Sequence, residues 1–257
     1  MNLARILVVA SNVFREVIRD RVLYLVAVFA IFMVAAIRLL PEISATTENK
    51  IILDVGLAAM TLLGLVIAVF VGTGLVNKEI DKRTVLVLLS KPVSRLEFIV
   101  GKHLGLSAVL AVLVALMTAI YMGLLSLSRI PYPAESILVS SVFLFLLLSL
   151  MTAVAIAFGV FTSSLLATLL TFTVFFMGSF SANLVTLGAQ SKNPTIEAVT
   201  RNLYLVLPDL SRLDLKNQAV YNLLPDTNTL LQSALYAVLY IIVLLIVATF
   251  IFSRREF

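Results

Sequence analysis

The residues that could carry catalytic or nucleotide chemistry are few in this chain of 257 residues, and their spacing fits no common catalytic motif. Gly178 to Ala182 reads Gly-Ser-Phe-Ser-Ala, which lacks the closing glycine of a serine nucleophile elbow and follows no predicted strand. Lys102 does not belong to a phosphate-binding loop, because Leu96 stands where the first glycine is needed and His103 where Ser or Thr is needed. The sequence therefore predicts no catalytic residue, and active transport would need an energy source on another protein.

Residue types that bind metals or form disulfides are nearly absent from the chain. There is no cysteine and a single histidine, His103. Zinc ribbons, iron–sulfur clusters and thiol catalysis all need such residues in suitable groups, so the composition argues against them. We expect this chain to bind no metal and no cofactor, so that any ATP and Mg²⁺ would belong to a partner.

A polar island from Asn77 to Lys102 collects charge between two long apolar runs. It reads NKEIDKRTVLVLLSKPVSRLEFIVGK and holds six of the nineteen Lys and Arg residues. Lys91-Pro92 is predicted to end a helix that begins near Glu79, because the residue before a proline avoids the helical region. Ser94 and Glu97 match a capping box, which predicts that a second helix starts there. The pattern favours a stiff surface of two helices with a sharp break over its alternative, a solvated basic loop.

The composition indicates that the rest of the chain is built for a membrane. Hydrophobic residues make up 61% of the sequence and charged residues 13%, and the mean hydropathy is +1.11. Soluble domains contain about 25% charged residues. The basic balance fits the charge asymmetry of membrane proteins, so we predict no nucleic-acid partner. The predicted fold class is an all-α integral membrane protein.

Apolar runs of about 20 residues predict six membrane spans. An amphipathic helix over 3–19 precedes them, with Ile6, Val9, Val13 and Val17 on one face, and is expected to lie flat at the inner interface. With the N-terminus inside, the inner side holds twelve of the nineteen Lys and Arg residues, so both termini are predicted to be cytoplasmic. The spans are predicted at 22–40, 55–76, 103–127, 136–158, 164–186 and 230–252.

The segments outside the spans belong to one predicted transmembrane domain, 1–257. They are an interfacial helix over 1–21, the polar island over 77–102, and an outer segment over 187–229. A short helix is predicted from Thr195 to Leu207, and its apolar residues indicate that it lies on or dips into the outer interface. Proline residues interrupt the rest of that segment.

The predicted spans contain no Asp, Glu or Lys, and Arg38 lies at the edge of the first span. Ion-coupled transporters and voltage sensors place ionisable groups at membrane depth, so the sequence argues against both classes. Hydroxyl and Phe side chains in the fifth span could contact an amphipathic substrate, although packing and backbone bonding explain them more simply. The sequence identifies no substrate-binding residue.

Small residues recur every four positions in two of the spans, which predicts close helix packing. Packing within one subunit is the favoured interpretation, and a dimer interface or a substrate path along one stripe is the alternative. The stripes are Gly56, Gly64, Ala68 and Gly72 in the second span, and Ser107, Ala111, Ala115, Ala119 and Gly123 in the third.

The island resembles the signature loop of type-2 ABC transporter permeases. Arg83-Thr84 stands where that family often has Gly-Thr. The similarity is closest to the subgroup that includes the permease of the nitrous-oxide-reductase, or multicopper enzyme, maturation system. The amphipathic helix, the six spans and the long segment before the last span are also similar to that family. The matching residues are Glu79, Asp81, Arg83-Thr84, Leu88 to Arg95, Glu97-Phe98 and Gly101-Lys102.

This resemblance implies a transport subunit and not an enzyme. Two permease subunits, identical or different, would pair in the plasma membrane with two copies of a separate ATPase. The island would dock in a groove of that ATPase, whose ATP-driven closure would alternate the pathway, normally for export. The residues expected to contact the ATPase or to shape the coupling element are Glu79, Asp81, Arg83, Thr84, Ser90, Lys91, Pro92, Ser94, Arg95, Glu97, Gly101 and Lys102.

Two other functions stay open at this point. The same ATPase-driven movement could act on an envelope enzyme or assembly complex, in a non-transporting scaffold whose partner is held by the outer segment 187–229. An ATP-independent channel or intramembrane enzyme is disfavoured by the missing motifs and by the scarcity of polar groups in the spans.

Overall fold

The computed structural model describes residues 2–20, 22–43, 48–81, 94–191 and 193–254. Across these ranges the chain forms ten α-helices and one 3₁₀ turn and no β-strand, as the all-α prediction requires. The helices are α1 (Leu3–Arg19), α2 (Tyr24–Ile43), α3 (Glu48–Asp81), α4 (Arg95–Leu127), α5 (Ala134–Phe161), α6 (Ser164–Ser179), α7 (Ser181–Gln190), α8 (Pro194–Val206), α9 (Lys216–Val220) and α10 (Thr227–Arg254), and the 3₁₀ turn is Leu210–Arg212.

Four of the described helices are long and apolar enough to cross a membrane, namely α3, α4, α5 and α10. They coincide with the second, third, fourth and sixth predicted spans. α2 coincides with the first predicted span and forms with α1 a pair bent by 51°, which is a fifth candidate. α1 itself is amphipathic as predicted, and its buried residues are Ile6, Val13 and Val17.

The fifth predicted span, 164–186, is wrong as a single continuous helix. α6 ends after 16 residues, and α7 begins two residues later. Phe180 lies between them with φ −105° and ψ 10°, outside the helical geometry. Beyond the break, the hydroxyl of Ser181 donates a 3.0 Å hydrogen bond to the carboxylate of Asp209, far along the chain. A tertiary contact therefore lies directly beyond the end of α6, and the apolar run alone does not reveal it.

α5 lies at the centre of the bundle and contacts α3, α4, α6 and α10. Small residues let α3 lie close to it: a Cβ at Gly64 would be 2.4 Å from a methyl of Leu148, and one at Gly72 would be 2.9 Å from the Cβ of Ala155. Gly56 makes similar room for a ring of α4. The α3 stripe therefore packs within the subunit, which confirms the favoured interpretation for that stripe.

The stripe on α4 is divided between packing and an open groove. Ser107 at its start is buried, and its hydroxyl lies 3.0 Å from the hydroxyl of Ser149 on α5. Ala115 and Ala119 are exposed and line an apolar groove of about 550 Å³ between α4 and α5. A Cβ at Gly123 would meet no atom within 4 Å. This half of the stripe keeps the alternatives, a dimer interface or a substrate path, open.

The bundle has an island end, where α3 ends and α4 begins, and a far end, where α4 ends and α5 begins. Residues 180–226, here named the far-end segment, form short elements at the far end. α7 packs on α8, and α9 packs on α3 and α5. α8, from Pro194 to Val206, confirms the predicted helix from Thr195 to Leu207. Apolar side chains from the start of the turn to the end of α9 are buried, so this part of the segment is docked; they are Leu210, Leu213, Leu215, Ala219 and Val220.

Replacing Gly72 by alanine should destabilise the bundle. The new methyl group would lie 2.9 Å from the Cβ of Ala155, so α3 and α5 would have to separate. Overpacking of this kind costs about 1–3 kcal/mol, which lowers the unfolding temperature of a chain this size by about 2–12 °C. Thermal unfolding of the detergent-purified protein measures the change.

Gly123→Ala is the matched control, because its methyl group meets open space. It should leave the unfolding temperature unchanged or raise it, since alanine is a better helix former than glycine. Equal losses in the two variants would contradict the close α3–α5 contact.

Candidate functional site

The structure places the predicted coupling residues in three groups. In the last turn of α3 are Glu79 and Asp81. Outside the described residues, together with the predicted Lys91-Pro92 break, are Arg83, Thr84, Ser90, Lys91 and Pro92. At the start of α4 are Ser94, Arg95, Glu97, Gly101 and Lys102.

The capping box predicted at the start of α4 is present. Ser94 has extended backbone angles, φ −73° and ψ 154°, and its hydroxyl accepts a 3.2 Å hydrogen bond from the N–H of Glu97. In return, the carboxylate of Glu97 accepts a 2.9 Å bond from the N–H of Ser94. The two bonds satisfy N–H groups that a helix start leaves without partners. The second helix of the island therefore begins at a fixed residue.

The carboxylate of Glu97 also holds the start of α1. Its other oxygen accepts a 2.6 Å hydrogen bond from the N–H of Asn2, and Arg5 lies 4.0 Å away as an ion-pair partner. The Asn2 side chain caps α1 by accepting from the N–H of Ala4 at 3.0 Å. A negative charge near a helix N-terminus is stabilising, and here one carboxylate serves two helix starts. Glu97 is 3% exposed, so it shapes the site and offers no surface to another protein.

Two glycines let α1 lie directly on α4. A Cβ at Gly101 would be 2.7 Å from the Cβ of Val9, and one at Gly105 would be 2.6 Å from the backbone oxygen of Ala10 and 2.7 Å from the Cβ of Val13. The apolar face predicted for α1 is therefore the face that packs on α4. Gly101, expected to belong to the coupling element, lets α1 lie close to α4 at this point.

Arg95 connects the island to the end of α10. Its guanidinium donates to the backbone oxygen of Phe252 at 3.2 Å and also to the backbone oxygen of Ser253. The last carbonyls of a helix lack internal partners and form its negative end, so a cation placed there is favourable. The Phe98 ring stacks on the Phe252 ring, with 5.8 Å between centroids and 18° between planes. The start of α4 and the end of α10 thus pack together in one junction.

The described coupling residues at the start of α4 make contacts inside the subunit. Glu97, Gly101 and Lys102 are buried, and the Lys102 ammonium lies 5.4 Å from the centre of the Phe98 ring. Arg95 is half-buried against α10. Ser94 is exposed, but its hydroxyl is used by the cap. These residues therefore pack the start of α4 against its neighbours within the subunit.

Sequence reasoning did not identify Phe252 and Asn2 as members of this site. Phe252 lies 157 residues from Arg95 and Asn2 lies 95 residues from Glu97. Their residue types carry a weak signal, an asparagine before an amphipathic helix and an aromatic residue in the last turn of a span. That signal predicts a cap and a packed ring but not the partner of either.

A buried polar cluster between α4 and α5 lies deeper in the bundle. The Nε2 atom of His103 is 3.0 Å from the backbone oxygen of Ser149, which makes Nε2 the donor. The hydroxyls of Ser107 and Ser149 lie 3.0 Å apart. Within the described ranges, no group of three or more His, Cys, Asp or Glu residues could hold a metal ion. The cluster links two spans, and it lacks the acidic partner that would orient a catalytic histidine.

A second polar cluster, centred on Asp209, holds the far-end segment. The carboxylate accepts from the Ser181 hydroxyl and from the Arg212 guanidinium, each at 3.0 Å. The N–H of Asp209 donates to the Tyr236 hydroxyl of α10 at 2.8 Å. Burial works to raise the pKa of this carboxyl, but hydrogen bonds from Ser211, Arg212 and Ser181 outweigh burial and hold the pKa below its ordinary value. The ionised form therefore stabilises this end of the molecule.

Glu97→Gln should release the start of α1. The amide keeps one acceptor oxygen but loses the charge that serves two backbone N–H groups and Arg5. Hydrogen bonds to charged groups are the stronger class, so we expect amide exchange over residues 2–6 to become faster by at least about tenfold. Mass-spectrometric hydrogen exchange in detergent measures it.

Glu16→Gln is the control, since Glu16 is exposed on the polar face of the same helix. It should leave exchange over residues 2–6 near the parental rate. Unchanged exchange in the Glu97 variant would show that the carboxylate does not hold α1.

Asp209→Asn should remove an acid-sensitive part of the stability of the far-end segment. Because the folded pKa lies below the unfolded value of 3.8, the carboxylate stabilises the fold above that pH. This stability is lost as the pH falls through the lowered folded pKa. Thermal unfolding reported by a fluorophore on Leu205→Cys, from about pH 3 to about pH 7, measures the profile.

Asp214→Asn provides the comparison on the same segment, where Asp214 pairs with Lys216 at 3.1 Å. This variant should keep the loss below about pH 4, whereas Asp209→Asn should be less stable at neutral pH and show a flatter profile. The same acid-dependent loss in both variants would rule out Asp209 as its source.

Comparison with known proteins agrees with the resemblance of the island to type-2 ABC permeases. A family model described as ABC-2 family transporter protein matches residues 7–257. No curated protein matches the chain. The matched range runs from the first turns of α1 past the end of α10, so it takes in the junction at the start of α4 and the far-end segment. The chain therefore belongs to the ABC-2 family of transporter proteins and is an integral membrane permease of that family.

Proposed function

We propose that this permease is the membrane subunit of an ATP-driven exporter and that the polar island takes up the movement of a separate ATPase. The observation that carries the proposal is the junction at the start of α4. Glu97 holds α1, and Arg95 holds α10, at the point where the chain re-enters the bundle from the loop. A force on the loop would therefore reach three helices at once.

The contact surface for the ATPase is proposed to be the part of the island before Ser94. The island residues from Ser94 to Lys102 are mostly buried or bonded within the subunit, which supports different roles for the two parts of the island. In this proposal the later residues, Arg95, Glu97, Gly101 and Lys102, give the element its shape, with Ser94 as its cap. The residues that contact the ATPase are Glu79, Asp81, Arg83, Thr84, Ser90 and Lys91, and Pro92 sets the break.

In the proposed topology, the chain crosses the plasma membrane six times, and the island end and both termini face the cytoplasm. α6, with 16 residues, covers about 24 Å at 1.5 Å per residue, so α7 is needed to complete a crossing of about 30 Å. The excess of Lys and Arg at the island end supports the orientation. Two such permeases, identical or different, are proposed to pair with two ATPase subunits, which bind the ATP and Mg²⁺.

A second candidate function is a non-transporting scaffold that uses the same movement to act on an envelope enzyme or assembly complex. The proposed membership in the maturation-system subgroup favours it, as does the far-end segment. That segment is anchored by Asp209, yet α8 presents exposed apolar side chains at Ile196, Val199 and Leu205. Removal of α8 would abolish capture of an envelope partner under this function, but would mainly change substrate handling in an exporter.

Purification from native membranes tests the first proposal. An ATPase should accompany the permease, and its ATP hydrolysis should be faster with the permease than alone. Arg83→Glu with Lys91→Glu should weaken this association by at least about tenfold, because two reversed charges oppose the partner surface. Arg95 is left intact in this variant, since its removal would disturb α10.

Arg201→Glu is the control, as Arg201 is exposed on α8 at the far end. It should co-purify with the ATPase to the same extent as the parent. Full association and stimulation in the double variant would rule out the island as the coupling element, whereas transport by the permease alone would rule out the ATP-driven mechanism.

A further inference from the structure

We propose that α10 transmits movement from the island to the far-end segment, with Arg95 as the positioning residue at its C-terminal end and Tyr236 as the positioning residue in its N-terminal half. This inference rests on the proposed function, in which the island receives the movement. The far-end segment is the part of the molecule expected to act on a substrate or an envelope partner. α10 is attached by specific polar contacts to both regions, as the following geometry shows.

At the island end, the side chain of Arg95 on α4 bonds to the backbone of α10. Arg95 is the first residue of α4, directly after its cap, and its guanidinium donates to the backbone oxygens of Phe252 and Ser253. Phe252 is 1% exposed and stacks on Phe98. Because the bonds go to the helix backbone, a displacement of the start of α4 acts on the axis of α10 and not merely on a flexible side chain.

At the far end, two tyrosines of α10 hold the chain between α8 and the 3₁₀ turn. The Tyr236 hydroxyl accepts from the N–H of Asp209 at 2.8 Å. The Tyr240 hydroxyl donates to the backbone oxygen of Val206 at 2.7 Å. The Arg212 guanidinium also lies 5.2 Å from the Tyr236 ring centre. The far-end segment is thus bonded through its backbone to a helix whose other end is bonded to the island.

Between these ends, α10 is held more loosely than the other long helices. Of the residues in its most apolar stretch, 22% are buried, whereas 72% are buried in the corresponding stretch of α5. With 28 residues it extends about 42 Å as one rigid element. The polar contacts at Tyr236 and at Phe252 lie about 24 Å apart along the axis, and α10 packs through one face between them, so it can shift as a rigid element. The buried residues lie on one face and include small ones; they are Ser233, Ala237, Ile241, Leu245, Ala248 and Phe252.

A single introduced cysteine reports the movement, because the natural chain has no cysteine. Val206→Cys is suitable, since Val206 is 74% exposed and its Tyr240 contact uses the backbone. The permease is purified with its ATPase, and labelling by a membrane-impermeant maleimide is timed with and without ATP and Mg²⁺. We expect nucleotide to change the labelling rate by about fivefold, which corresponds to a population shift of about 1 kcal/mol.

Arg95→Gln and Tyr236→Phe should each reduce the nucleotide effect on labelling to less than about twofold. Arg95→Gln breaks the island attachment and Tyr236→Phe the far attachment, so the second variant tests the inference even if the first folds poorly. The controls are Arg254→Gln, whose cation lies over Phe250, and Tyr221→Phe, which keeps its ring beside Lys50. Both controls should keep the full nucleotide effect.

The two proposals fail in different ways. If the parent complex hydrolyses ATP but the labelling rate at position 206 is the same with and without nucleotide, the proposed transmission through α10 is wrong. The proposed permease function is unaffected by that result. The same conclusion follows if Arg95→Gln and Tyr236→Phe both respond to nucleotide like the controls. If no ATPase associates with the permease, the proposed function is wrong, and this inference is overturned with it.

Discussion

A buried carboxylate has to be surrounded by hydrogen-bond donors, and this requirement organises the island end of the molecule. Glu97 is 3% exposed, and its oxygens accept from the backbone of Ser94 and of Asn2 while Arg5 lies nearby. Burial of an unpaired charge would be strongly unfavourable, so these groups can hardly separate without a replacement for each bond. The start of α1, the start of α4 and, through Arg95, the end of α10 are therefore fixed to one place.

Close helix approach is the second constraint, since lipid provides no hydrophobic force to bring spans together. Gly64 and Gly72 allow α3 to contact α5, and Gly101 and Gly105 allow α1 to contact α4. Among the described residues of the spans, several hydroxyls bond to backbone oxygens of their own helix, as Thr152 does with Leu148, or to each other, as Ser107 does with Ser149. These polar groups are thus satisfied without a charged partner.

Much of this architecture could be predicted because it follows from local sequence. The capping box at Ser94, the amphipathic α1 and the helix in the far-end segment each depend on residues a few positions apart, and all are present. The break at Phe180 could not be predicted, because the apolar run continues through it and the neighbouring contact of Ser181 is with Asp209, 28 residues away. Glu97 and Arg95 bond to residues 95 and 157 positions away in the chain, so the sequence could not predict these partners.

The contact between Glu97 and Asn2 also has a consequence for the order of events during synthesis. α1 leaves the ribosome well before its partner, because 95 residues separate Asn2 from Glu97. At about 5–20 residues per second, α1 waits about 5–20 s before α4 exists. Its exposed Leu3 and Leu7 can hold it at the lipid surface in that interval. α1 is therefore made before α4 but reaches its final position only afterwards, and the island end of the bundle is completed only after α4 has been inserted.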